Sequence, residues 1–349
     1  MNSQPSRQRL GALTFRPHLE ERVWGGRRLE RYGRKLPDKV LVGETWEVSA
    51  IPGRSSVVAR GPRSGRPFDE VFDEYRDEIL GDAQSTGVSF PLLLKLLDAA
   101  APLSVQLHPN DEEALAIEGP GVGSIGKSEV WIILSAEPQA RIVHGLDPRV
   151  NPRDLYDRLE DLEGKALTTE EEESLFRWVS VKSGDIVFVP TGSVHALGTG
   201  IVMAEVQQNS DLTYRLYDWG RRDSRGRYRQ LHLDKALRVG SPGEITCPLG
   251  NIEDLPTAAG IYPLADCEKF RLDLISMSDG SRWTGSTDEG GDRNFHILFG
   301  WSGTTRYTDS SGDVIEISPV SFVVLPASLG SYELEAITPE ARCLRITPS

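Results

Sequence analysis

The chain has 349 residues, 38% hydrophobic and 26% charged, the balance of a globular protein with room for about two domains. A formal net charge of −13 excludes the basic footprint that nucleic acid or an anionic membrane requires, while a few local cations could still hold a small anionic substrate. No apolar run of about 18 residues is present, no apolar stretch follows Arg7 and Arg9, and Cys247, Cys267 and Cys343 are too few and scattered for a disulfide framework or a zinc–thiolate site, which suits a reducing cytoplasm.

Residues 1–12 read as a loose tail. Leu13 to Trp24 and Glu44 to Val58 read as short strands, separated by Gly25-Gly26 and Pro52-Gly53. Helical apolar spacing from Pro67 to Gly81 predicts a helix, with Pro67 in its first turn and Gly81 ending it. Phe90 to Leu97 is a mostly apolar strand carrying one cation, Lys95. A short helix follows around Asp111 to Ile117. After a glycine-rich loop, Gly119 to Gly126, Val130 to Leu134 has strong strand composition. Asn151-Pro152 and Thr168-Thr169-Glu170 read as helix starts, defining a helical insertion over 148–178. Strands resume over Trp178 to Val189 and Ile201 to Gln208. Residues 241–260, rich in Pro and Gly, read as a linker, and 261–349 as a second β-domain.

Val181 to Pro190 lines up with Ile317 to Pro326, and extending the alignment sets Ser331 opposite His195. The C-terminal block therefore reads as a related β-unit lacking a metal-binding side chain. Many short strands in two blocks favour an all-β protein of two barrels or sandwiches over a doubly wound sheet.

The chemistry centres on Pro102 to Asp111. With strand alternation, Leu103, Val105 and Leu107 share an apolar face, and Ser104, Gln106 and His108 share a polar one. Pro109 ends the strand. Lys127, Glu129 and Trp131 share a face of the strand after the glycine-rich loop. His195 follows a tight turn in an uncharged segment. Met203, Glu205, Gln207, Asn209, Asp211, Thr213 and Arg215 share parity if that stretch stays extended. His108, Glu129 and His195 supply two imidazoles and a carboxylate, the ligand set of a catalytic divalent ion with open positions, and Gln106 offers a further oxygen. Gly121 to Ser128 also matches the phosphate-loop pattern letter for letter. That mechanism needs a strand before the loop and a helix after it, and here the order is reversed, so a nucleotide site is rejected.

In Pro91 to Leu97 with Leu103 to Pro109, in Gly126 to Glu129, in Pro190 to Gly198 and in Glu205 to Arg221, the sequence resembles the type I mannose-6-phosphate isomerases, zinc enzymes of the cupin superfamily, in their short bacterial form. Trp24-Gly25-Gly26 and Gly43 to Glu47 extend the likeness over roughly residues 15–235. The resemblance implies two cupin-type jelly-roll barrels, a catalytic one over 1–240 and a degenerate one over 261–349. It implies one zinc on Gln106, His108, Glu129 and His195, an essential Arg215, Lys127 and Glu205 lining the pocket, and Ser104 and Lys95 near the sugar phosphate. The implied reaction interconverts mannose 6-phosphate and fructose 6-phosphate by proton transfer through an enediolate, with Glu205 or Lys127 shuttling the proton. A metal-dependent redox cupin and a non-catalytic sugar-binding cupin are the alternatives. No nucleic-acid or membrane partner is expected.

Overall fold

The computed structural model describes residues 10–82, 89–121, 124–222, 225–240 and 247–349. Residues 1–9 of the expected tail, Val122 and Gly123 of the glycine-rich loop and 241–246 of the expected linker lie outside them, whereas Leu10 and Ala12, expected in the loose tail, are buried. The described chain is strand-rich, in several sheets with short helices between. By packing it divides into two compact units at places the sequence did not indicate. One comprises Leu19–Trp46 and Pro91–Asp254, the other Met1–His18, Glu47–Phe90 and Leu255–Ser349. The single domain expected over 1–240 is thus split, and the cause is apolar packing. Phe68, Phe72 and Phe90 meet edge to face, the Phe90 ring centroid lies 4.8 Å from that of Phe295, and Leu13 exchanges backbone hydrogen bonds with Val324. The described part of the expected linker is also built in, since Gly250–Asn251 pairs with Asp185–Val189 and Ile252 is buried.

In the first unit, a seven-stranded sheet runs Gly250–Asn251, Asp185–Val189, Glu129–Ala136, Ile201–Gln208, Leu92–Ala99, Val42–Val48, His18–Gly26. A five-stranded sheet runs Tyr214–Tyr217, Val105–Leu107, His195–Leu197, Arg141–Leu146, Phe176–Ser180. Val105 and Leu107 are buried with Val194, Tyr214 and the insertion's Leu155 and Leu159, so the apolar face of the central strand is a core face. The insertion forms helices Pro152–Asp161 and Thr169–Leu175, and Phe176 already begins a strand. Asn151 accepts from the Arg153 amide, and Thr168 forms a capping box with Glu171; each cap contributes about 1 kcal/mol. The strand-forming stretch over 178–189 holds the end of Phe176–Ser180 and all of Asp185–Val189, parted by a turn where Gly184 has φ 86°.

The expected helix over 67–81 is two, Phe68–Glu74 and Arg76–Leu80, with Pro67 as cap rather than first-turn residue. They belong to the second unit, whose main sheet runs Gly260–Asp266, Phe270–Ser278, Glu340–Pro348, His296–Ser302, Phe322–Leu325, repeating the strand order from Val42–Val48 to Asp185–Val189 in the first unit. A four-stranded sheet runs Arg282–Ser286, Ser331–Ala336, Thr305–Asp309, Val314–Ile317. The registers make the internal echo specific. Glu129 pairs with Val189 as His296 pairs with Leu325, and His195 pairs with Gln106 as Ser331 pairs with Ser286. Glu205 pairs with Lys95 as Arg345 pairs with Asp273. The second unit thus keeps the strand order and replaces the chemistry: the Lys95–Glu205 ion pair recurs with its signs exchanged as Asp273–Arg345.

Candidate active site

Each sheet of the first unit contributes a different chemistry to one cleft of about 430 Å³. The seven-stranded sheet carries Glu44, Lys95, Glu129 and Glu205, and the five-stranded sheet carries Gln106, His195 and Arg215. His108 directly follows the Val105–Leu107 strand, where its carbonyl accepts from the Gly192 amide at 2.7 Å. Strand alternation turns all these polar groups away from the core face.

Ligand-capable atoms of His108, Glu129 and His195 lie within 4.8 Å of one another, and all three residues are buried. Both rings are oriented from behind. His108 Nδ1 donates to the Leu212 carbonyl at 2.8 Å, and His195 Nδ1 donates to the Ser193 carbonyl at 2.9 Å. Each Nε2 is therefore left as a lone pair facing the cleft. Burial lowers both imidazole pKa values, with the Lys127 charge acting further on His108 and the neighbouring His108 on His195, which falls to about 3. Neutral imidazole is the metal-ligating form. His108 Nε2 is buried without a hydrogen-bond partner, yet Glu129 Oε1 stands 3.2 Å away. Two lone-pair donors facing each other at that distance call for a cation between them. Gln106 Nε2 is 3.4 Å from His195 Nε2 while its Oε1 accepts from the Ser104 hydroxyl. A half-turn of the amide would bring its oxygen to the cluster.

Glu129 also accepts from the Lys127 ammonium and from Trp131 Nε1, the latter at 2.9 Å. Burial would raise its pKa, but Lys127 and the imidazoles hold it well below the usual carboxylate range. Trp131 Nε1 reaches Glu205 Oε1 as well, at 3.2 Å. Glu205 behaves in the opposite way: burial and then the Glu129 charge push its carboxyl up to about 7, against the pull of Lys127 and Lys95. Two carboxylates joined by one indole thus have opposite proton affinities.

Ser104, Lys95, Lys127, Glu205 and Arg215 all line the cleft. The parity run from Met203 does not stay extended: the strand ends at Gln208, and the next begins at Tyr214. Gln207 turns its amide onto the carbonyls of Gln208 and Ser210 instead. Asp211, Thr213 and Arg215 reach the cleft even so. Arg22, Glu44 and Arg229 escaped the sequence reading. Glu44 is buried, accepts from Arg22 Nε and Trp46 Nε1 at 2.7 Å each, and faces Lys95 at 3.5 Å. Burial opposes its charge, but Lys95 and Arg22 bring its pKa down to about 2. Its only signal was its place in the Gly43 to Glu47 block.

The phosphate-loop match is occupied by the fold. A helix, Asp111–Glu118, precedes it and a strand follows. The amides of Gly126, Lys127 and Ser128 donate to Asp111, to the Pro109 carbonyl and to Gln208, so they are not left to cradle an anion. Gly126 is there for close approach, since a Cβ would meet the Asn110 backbone at 2.8 Å.

Residues 13–121 match the family model for the phosphomannose isomerase type I catalytic domain. The mannose-6-phosphate isomerase ManA of Bacillus subtilis is 36% identical over 332 residues, covering 93% of this chain and 95% of that one. The chain belongs to the type I mannose-6-phosphate isomerase family. A crystal structure of the mannose 6-phosphate isomerase from Bacillus subtilis superposes with a TM-score of 0.78 at 28% identity, over 97% of this chain and 99% of that one. A zinc-bound mannose 6-phosphate isomerase structure shares the fold at 15% identity and a TM-score of 0.70, over 97% of this chain and 100% of that one.

Proposed function

We propose that this chain interconverts mannose 6-phosphate and fructose 6-phosphate, an aldose–ketose isomerisation, with zinc held by His108, Glu129, His195 and Gln106. The observation that carries the reading is the buried His–Glu–His cluster, with its ring nitrogens turned inward, beside a carboxyl poised near neutral pH. Membership of the isomerase family supports it. Both sheets' arrangement agrees with a cupin-type jelly roll in each unit, and the cysteines, all free, agree with a cytoplasmic location.

Isomerisation moves a proton between C1 and C2 through an enediolate, which needs a base for a carbon-bound proton and cations for the developing oxyanion. Zinc would supply Lewis-acid stabilisation of that charge. Glu205 is suited to take and return the proton, because burial raises its affinity into the working range. Lys127, held cationic beside Glu129, keeps charge near the reacting oxygens. Arg215 offers its guanidinium to the enediolate or the phosphate, and Ser104 and Lys95, expected near the sugar phosphate, line the same cleft. A coupled assay with mannose 6-phosphate tests the reading. Turnover is expected to vanish with chelator and return with zinc. Full turnover after chelation with no bound metal, or oxygen-dependent turnover without isomerisation, would refute it.

A further inference from the structure

The charges of the cleft are unevenly settled. At its inner end every cation is matched: Lys127 contacts Glu129, Lys95 stands 3.5 Å from both Glu44 and Glu205, and Arg22 bonds Glu44 and Glu20. Toward Arg215 the balance is different. Arg221 and Arg229 share one carboxylate, Asp218, and Arg221 spends another donor on the Pro102 carbonyl. Arg229 touches Asp218 through Nη1 alone, at 3.2 and 3.4 Å, leaving Nε and Nη2 without a partner among the described residues. Arg215 has no ion-pair partner among the described residues. Its Nη1 donates to the Gln230 carbonyl at 2.8 Å, and its Nε is buried with no acceptor. Both Arg215 and Arg229 line the cleft, and after burial the Arg229 charge further lowers the proton affinity of Arg215. Two guanidinium groups with unspent donors on one cleft suit an anion with several acceptor oxygens.

We propose that Arg229, with Arg215, holds the phosphate group of the substrate and so makes the cleft selective for phosphorylated sugars. This rests on the isomerase reading above, and it sets the direction of the substrate: phosphate toward the arginines, C1 and C2 toward the histidines. The inner lysines are already neutralised by carboxylates and have no surplus charge for a dianion.

The test compares wild type with Arg229→Gln and Arg229→Lys, using the zinc-loaded full chain, with mannose 6-phosphate as substrate and inorganic phosphate as competitive inhibitor. Losing one charge-assisted contact predicts a rise of about 30-fold in KM and a similar weakening of phosphate inhibition, with kcat changed far less. Arg229→Lys should recover part of both, as a point charge without the fork. An unmoved KM and phosphate inhibition constant in Arg229→Gln overturns the proposal, as does a fall in kcat alone. Should Arg229→Gln fail to fold, Arg229→Lys decides: unchanged phosphate inhibition in that variant overturns the proposal too. A wild-type chain that does not turn over mannose 6-phosphate at all would strike the isomerase reading instead.

Discussion

The substitution Glu44→Gln probes the ion-pair network behind the cleft. Glu44 is 7% exposed and accepts from both Arg22 and Trp46, with Lys95 3.5 Å away and 3% exposed. A glutamine of the same shape can accept from only one of the two donors, and it turns an amide NH₂ toward the other. It also leaves Lys95 with Glu205 as its remaining carboxylate. The native state holds the Glu44 carboxyl at about 2 against a usual 4.5. That displacement corresponds to about 3 kcal/mol in favour of the charged form. Losing it should lower the melting temperature by roughly 5–10 °C, as measured by calorimetry on the zinc-loaded protein. The sign with pH follows. A carboxyl depressed in the folded state stabilises above its unfolded pKa and loses that contribution as pH falls toward 2. The gap between wild type and Glu44→Gln should therefore close progressively below pH 4.5. Adding Lys95→Met removes the stranded cation, so the double variant should lose at least ~1 kcal/mol less than the two single losses added. Unchanged melting in Glu44→Gln, or strictly additive losses, would refute the reasoning.

Trp131→Phe removes the indole donor shared by Glu129 and Glu205. Zinc affinity, read by chelator competition, should weaken about 10-fold or more with secondary structure retained; unchanged affinity would show that the indole does not orient the ligand. In the second unit, burial and then Arg345 push His296 down to about 3, and its Nδ1 shares a hydrogen bond of 2.8 Å with the Tyr332 hydroxyl. The unfolded chain binds this proton near 6.5, so stability should fall as pH drops from 6.5 toward 3, by up to ~1.4 kcal/mol per pH unit from this site. Urea unfolding of His296→Gln should show a shallower acid slope than wild type, and equal slopes would contradict the assignment.

Much of the site was legible because strand alternation is local. Val105 and Leu107 had to face a core, so Gln106 and His108 had to face away, and neighbouring strands then fixed where they met His195. The helix starts at Asn151 and Thr168 were legible for the same reason, since a cap acts on amides two or three residues on. Glu44 and Arg229 were not legible. Their importance lies in what they face, Lys95 for one and Asp218 with Arg215 for the other, and no local period encodes those pairings. The assumed extension past Gln208 failed because Asn209 and Ser210 bond to distant backbone, the Pro91 and Ile125 carbonyls, in place of a neighbouring strand.

By itself the amino-acid order determined which side chains share a face, where helices start, and that the second unit lacks the ligands of the first. Only the tertiary structure decided that residues 47–90 pack with the C-terminal block, that Glu129 is held charged while Glu205 is pushed toward neutrality, and that unspent guanidinium donors gather at one end of the cleft. Alternation is set by covalent geometry within a few residues. Burial and charge balance are sums over groups that meet only when the sheets close on one another.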